Sequence, residues 1–118
     1  YLEEAIRLNP NFTKARLSLG NILMQKYKFK TAIHHFKTII KKNPNHAIAH
    51  NSLGSALAEQ GNFEQAIDHF HTSITINPRY LEAHQNLGTI FLILGQPEQS
   101  VVYFKIAKEL AMNEKLKQ

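Results

Sequence analysis

AIAHNSLGSALAEQGNFEQAIDHFHTSITINPRY, residues 47–80, carries two helical stripes separated by a turn. In its first part apolar residues fall at Ala49, Leu53, Ala56 and Leu57, the three-to-four spacing of a helix with one buried side. Gly61-Asn62 ends that run, because glycine takes a positive φ without a Cβ clash. Asn62 is placed to cap the next helix, and Gln65 to complete a capping box with it. The second stripe is Phe63, Ala66, Ile67, Phe70 and Ile74. Pro78 closes it, since proline lacks the N–H a helix needs and keeps the residue before it out of the α region. The stretch therefore predicts a helical hairpin.

The same hairpin is written on both sides of it. Asn9-Pro10, Asn43-Pro44 and Asn77-Pro78 recur at a constant step of 34 residues, as do Leu19-Gly20, Leu53-Gly54 and Leu87-Gly88. Ala15, Ala49 and Ala83 keep that step, and so do Phe36, Phe70 and Phe104. Ala32 and Ala66 agree, with Ser100 as a small-for-small exchange; Gly61 and Gly95 agree, with Tyr27 in the matching slot. The units are 13–46, 47–80 and 81–114, preceded by 1–12 as the second helix of a truncated unit and followed by 115–118, which continues the last helix. Pro97 falls in the first turn of its helix, where a missing N–H costs nothing. Small residues at 20, 54, 32 and 66 let paired helices approach closely. One hairpin cannot hide both of its faces, so neighbours must stack. The fold class is all-α, a solenoid of stacked antiparallel helix hairpins.

Composition excludes the other broad classes. The chain has 118 residues, 43% of them hydrophobic, with a net charge of +5, which is too apolar and too mixed in charge for a disordered chain. The longest uncharged apolar stretch, 89–95, is too short to cross a bilayer, so no membrane insertion is expected. With no cysteine there is no disulfide framework and no thiol nucleophile, which fits a reducing compartment. Tyr1 is not an initiator methionine and no leader pattern follows it, so the chain reads as a mature chain or an excised segment, and a cytoplasmic location is expected.

The spacing and the residues Leu-Gly, Ala, Phe and Asn-Pro resemble the tetratricopeptide repeat, a 34-residue helical hairpin with small residues at its contact and a closing proline. The resemblance covers essentially the whole chain. Two departures stand out: the aromatic common early in the first helix is His50 and His84, or Arg16 in the first unit, and Met112 replaces the last proline. The wording is similar to the arrays of O-linked N-acetylglucosamine transferases and their bacterial relatives. The family implies a right-handed superhelix whose first helices line a concave groove for an extended peptide or a helix of another protein. It makes the chain a non-catalytic interaction scaffold, or alternatively the substrate-recruiting array of a larger enzyme such as a glycosyltransferase.

On that architecture the core takes Ala15, Leu19, Gly20, Leu23 and their equivalents, and the opposite stripe of each first helix faces the groove. The stripe is Lys14, Leu17, Ser18, Asn21 and Gln25; then Ile48, Asn51, Ser52, Ser55 and Glu59; then Glu82, Gln85, Asn86, Thr89 and Ile93. Its amides and hydroxyls can bond a peptide backbone of any sequence, with Leu17, Ile48 and Ile93 supplying apolar selectivity. The transferase arrays carry an asparagine ladder on this face; here Asn86 fills a rung, while Ser18 and Ser52 hold the equivalent positions. Repeats that hold acidic chaperone tails use a clamp of Lys, Asn and Arg. Asn21 matches it but Leu17, Ser52, Glu82 and Asn86 do not, so such tails are expected to bind poorly.

Charge is uneven. Lys14, Arg16, Lys26, Lys28, Lys30, Lys37, Lys41 and Lys42 crowd the first unit with no acid, whereas the second and third units are net acidic. Only Tyr27 and Phe29 interleave rings with the basic set, so a solvated face is expected rather than a nucleic-acid site. Among seven histidines, His46 and His50 have the best ligand spacing, but no third ligand joins them, and His50 and His84 are expected at a helix contact. The glycines stand singly, so no phosphate loop is present, and no cofactor, metal or catalytic constellation is predicted. Val102, Ile106 and Leu110 form a stripe facing away from a Val101, Phe104, Ala107 core stripe, so the expectation is either that more chain follows to cover it or that it is a surface for self-association.

Overall fold

The computed structural model describes residues 12–116; the leading half-hairpin expected over 1–12 lies outside the described residues except for Phe12. Six helices follow one another: α1 Thr13–Gln25, α2 Phe29–Lys42, α3 Ala47–Glu59, α4 Phe63–Ile76, α5 Leu81–Ile93 and α6 Pro97–Leu116. No strand occurs among the described residues, and no helix there is long and apolar enough to cross a membrane. The tight turns between paired helices pass through Tyr27, Gly61 and Gly95 at φ 61°, 82° and 75°, so the slot holding tyrosine in the first unit takes the left-handed conformation too.

Each hairpin closes on one glycine and one phenylalanine. A Cβ built on Gly54 would lie 2.7 Å from the Phe70 ring, and Gly20 and Gly88 stand against Phe36 and Phe104 in the same way. The glycine removes a side chain, and the ring of the second helix lies flat in the space. Ala32, Ala66 and Leu53 complete that contact, buried. Ser100, the exception at the alanine position, is buried as well and donates its hydroxyl to the Gly88 carbonyl at 2.8 Å. The bond satisfies the one polar atom the exchange introduces.

A second contact recurs near the open end of each hairpin. Arg16 donates to His35 Nδ1 at 3.0 Å, and His50 Nδ1 lies 3.1 Å from His69 Nδ1. In the third hairpin the pair is His84 and Tyr103, with ring centroids 6.2 Å apart. His50 and His84 each hold the loop before their helix, since Nε2–H donates to the Pro44 and Pro78 carbonyls at 2.8 and 2.9 Å. Tyr103 offers His84 no ring nitrogen, and His84 Nδ1 is left buried without a hydrogen-bond partner.

Hairpins stack so that α2 packs on α3 and α4 on α5, and α1 also touches α3, as α3 touches α5. The second helices stand farther apart, with α4 meeting α6 through side chains, His71 against Tyr103 with ring centroids 6.0 Å apart. First helices close together and second helices splayed apart curve the array, with α1, α3 and α5 on the inside. The fold is an α-solenoid.

Two expectations need correction. The capping box at Asn62 is absent: a turn closing on the Leu57 carbonyl at 2.9 Å holds Asn62 at φ −86°, ψ 68°, and its side chain makes no cap bond. A side-chain cap is present on α3, where His46 accepts the Ala49 N–H at Nδ1. The other correction concerns α6. Val101 and Phe104, read as core, are open: Phe36, Phe70 and Phe104 are 0%, 1% and 38% exposed, and Val101 is 63% exposed. Inside the array the next first helix covers this face, as α3 covers α2 and α5 covers α4, and nothing among the described residues covers α6. Of the stripe expected to be open, Val102 is exposed while Ile106 and Leu110 are half-buried.

Candidate peptide groove

Of the side chains assigned to the groove, Lys14, Ser18, Asn21, Gln25, Ile48, Glu59, Glu82, Gln85, Thr89 and Ile93 are exposed. Leu17, Ser52, Ser55 and Asn86 are half-buried. Each first helix buries its alanine and leucine positions against its partner, so the residues a half-turn away are left on the inner side. Between α3 and α5 the inner wall opens a hollow of about 270 Å³, rimmed by Ser55, Glu59, Asn86, Thr89 and Ile93 and floored by Phe63, Phe70 and Ile90. It offers an apolar floor with acceptors and donors around it. A hollow of about 410 Å³ at 95–99 is made by five consecutive residues of one turn and gathers no side chains from the inner wall.

Asn51 behaves differently from the rest. It is 7% exposed, and its amide is already used: Nδ2 donates to Tyr80 Oη at 3.5 Å and Oδ1 accepts from Asn86 Nδ2 at 2.9 Å. Asn86 Nδ2 also reaches Ser55 Oγ at 3.5 Å. The strong member of this chain is the Asn86–Asn51 bond, and the 3.5 Å members are weak. Asn51 thus links α3 to α5 beneath the wall and has little left for a guest.

Tyr80 was not among the sequence candidates. Half-burial, then the negative charge of Glu82, push its hydroxyl up to about 12, so it stays protonated and can donate to Glu82 while accepting from Asn51. The signal was present: Phe12, His46 and Tyr80 stand in the same slot, a ring before each first helix.

The wall is polarised. Lys14 lies at the α1 end and Glu59 and Glu82 at the α3 and α5 end. The dense lysines sit elsewhere, Lys26 and Lys28 at the first turn and Lys30, Lys37, Lys41 and Lys42 on α2, all exposed. Arg16 leaves that set, being buried against α2. His46 and His50 commit ring nitrogens to the Ala49 N–H and the Pro44 carbonyl, and among the described residues no group of three or more His, Asp or Glu is placed to hold a metal.

Known proteins carry the same pattern. Two family models, both described as Tetratricopeptide repeat, match residues 47–80 and 81–112. A crystal structure of MamA superposes with a TM-score of 0.86 at 26% identity, over 99% of this chain and 68% of that one. MamA MSR-1 gives 0.80 at 27% identity, over 96% of this chain and 65% of that one. MamA 41-end from Desulfovibrio magneticus RS-1 gives 0.85 at 21% identity, over 95% and 63%, a likeness of fold. The chain thus spans about two thirds of the length of these structures. No curated protein gives a match.

Proposed function

The chain belongs to the tetratricopeptide repeat family, and on that premise we propose that its inner wall grips an extended segment of another protein. The observation that carries the reading is the hollow between α3 and α5, where Phe63 and Ile90 form an apolar floor inside a rim of Ser55, Glu59, Thr89 and Ile93. The mechanism is backbone hydrogen bonding by amides and hydroxyls, Asn21, Gln85 and Thr89 foremost, with Ile48 and Ile93 selecting apolar guest side chains. Such bonding tolerates sequence variation and leaves selectivity to the apolar contacts. Charge sets polarity: an acidic guest residue favours the Lys14 end and a basic one the Glu59 and Glu82 end. The chain acts as a scaffold and does no chemistry on its guest.

Peptides selected on the chain from a random display library test this. Replacing Gln85, Thr89 and Ile93 together with alanine should weaken the selected peptides by about tenfold or more. Replacing Lys37 and Lys41 on α2 should leave them unchanged. The reverse pattern would contradict the reading.

A further inference from the structure

The hollow between α3 and α5 owes its depth to one short side chain. Ala58 lines it, half-buried, where the preceding hairpin carries Met24 packed against the core. A methyl group stands where a thioether chain stands one repeat earlier, and the floor of Phe63, Phe70 and Ile90 lies open beside it. The volume of about 270 Å³ exceeds the roughly 150 Å³ in which a benzene ring fits. It takes one large apolar side chain with part of the backbone that carries it. The lining comes from α3, α4 and α5 alone, and each of these is packed between other helices of the array.

The rim is biased toward acceptors. Asn86 Nδ2 is engaged by Asn51 Oδ1 at 2.9 Å and Ser55 Oγ at 3.5 Å, and the Thr89 hydroxyl donates to the Gln85 carbonyl at 3.0 Å. A guest therefore meets Asn86 Oδ1, the lone pairs of Thr89 Oγ1 and the exposed carboxylate of Glu59, with the Ser55 hydroxyl proton as the exception. Glu59 is the one charged residue that lines the hollow. α3 ends at Glu59 and α5 at Ile93, so the negative ends of two helices add to its sign at the same rim. Exposed Glu64, next to Phe63, adds to it again. Lys26 and Lys28 belong to the turn of the preceding hairpin and do not line the hollow.

We propose, resting on the inner-wall reading above, that the hollow takes a large apolar side chain of the guest and that a lysine or arginine two residues along the guest meets Glu59. Alternate side chains of an extended segment share one face, roughly 6–7 Å apart, so both reach the wall together. Ala58 sets the size of the anchor and Glu59 the charge beside it.

Peptides selected on the whole chain from a random display library are the probe. Their sequences should show Phe, Leu or Met enriched about tenfold or more at one position, with Lys or Arg enriched two positions away. In fluorescence anisotropy, replacing the anchor with alanine should weaken a selected peptide by about tenfold or more on the parent chain. Ala58→Met should weaken the intact peptide to a similar degree and the alanine peptide little further, because both changes remove one contact. Glu59→Lys should turn the preference at the second position from Arg to Glu. Glu59 is exposed, so this variant keeps its fold whatever Ala58→Met does. Peptides that depend on Gln85, Thr89 and Ile93 yet carry neither anchor nor cation, or whose losses on Ala58→Met and on anchor removal simply add, would overturn the proposal and leave the inner-wall reading standing. Peptides indifferent to replacement of Gln85, Thr89 and Ile93 would overturn both.

Discussion

His50 and His69 face each other through Nδ1 atoms 3.1 Å apart, while the other nitrogen of His50 donates to the Pro44 carbonyl. With its Nε2 proton committed to the Pro44 carbonyl, His50 presents Nδ1 as an acceptor to His69, and one proton lies between the rings. A second would set two N–H groups against each other, and the structure opposes it: burial first, then His50 from α3, then Lys37 from α2 hold His69 below its ordinary value, with Asp68 opposing them.

The sign of the pH dependence follows. His69 binds its proton more weakly folded than unfolded, so the unfolded chain takes up more protons as pH falls below about 6.5. Stability should be greatest above that pH and decline as pH falls through it toward the folded value. Urea melts at pH 7.5 and 5.5 should show the drop, and His69→Gln should shrink it. A parent and variant with the same pH difference would show that the pair does not contribute.

Gly54 carries a packing prediction. Alanine favours a helix by about 1 kcal/mol over glycine, yet its Cβ would stand 2.7 Å from the Phe70 ring. Overpacking of this kind costs about 1–3 kcal/mol. Gly54→Ala should therefore destabilise despite its better propensity, and adding Phe70→Leu should restore part of the loss. Denaturation midpoints that rise in the single variant would contradict the close approach.

Asn51 and Gln85 occupy the same slot of successive first helices and should respond oppositely. Asn51→Ala strands Asn86 and Tyr80, and leaving buried polar groups unmatched costs about 1–3 kcal/mol. Gln85 is exposed, and its removal should change stability by less than about 0.5 kcal/mol. Thermal melts of the two variants check this; similar losses would mean that the Asn86–Asn51 bond does not join the hairpins.

The difference between these two residues shows how far the sequence could be read. Helix positions, the stops at Gly61 and Pro78 and the glycine–phenylalanine contact depend on residues within one hairpin, and periodicity exposes them directly. Asn51 is buried by Tyr80 and Asn86, which belong to the next hairpin, so its own stripe could only mark it as inward-facing. Val101 failed for the same reason in reverse. Its spacing is that of a core residue, but among the described residues no first helix lies on α6 to bury it as its equivalents are buried. Tyr80 precedes the helix it serves, and a search confined to helix stripes passed over it. Periodicity within a helix tells which residues share a face; what covers that face is decided by the neighbouring hairpin.

Exposed groove residues also separate recognition from stability. Combined substitution of Lys14 by Glu and Glu82 by Lys should reverse the preferred charge order of selected guest peptides, with only a small shift of the melting curve from the lost Tyr80–Glu82 hydrogen bond. Selection from the same library on parent and variant measures it. Identical charge patterns from both would count against the polarity assigned to the wall.

Amide hydrogen exchange of the chain with and without a selected guest peptide addresses the central claim most directly. Gripping along the inner wall predicts new protection on α1, α3 and α5 and little change on α2 and α4. Protection concentrated on α2 and α4, or none with the peptide bound, would contradict it.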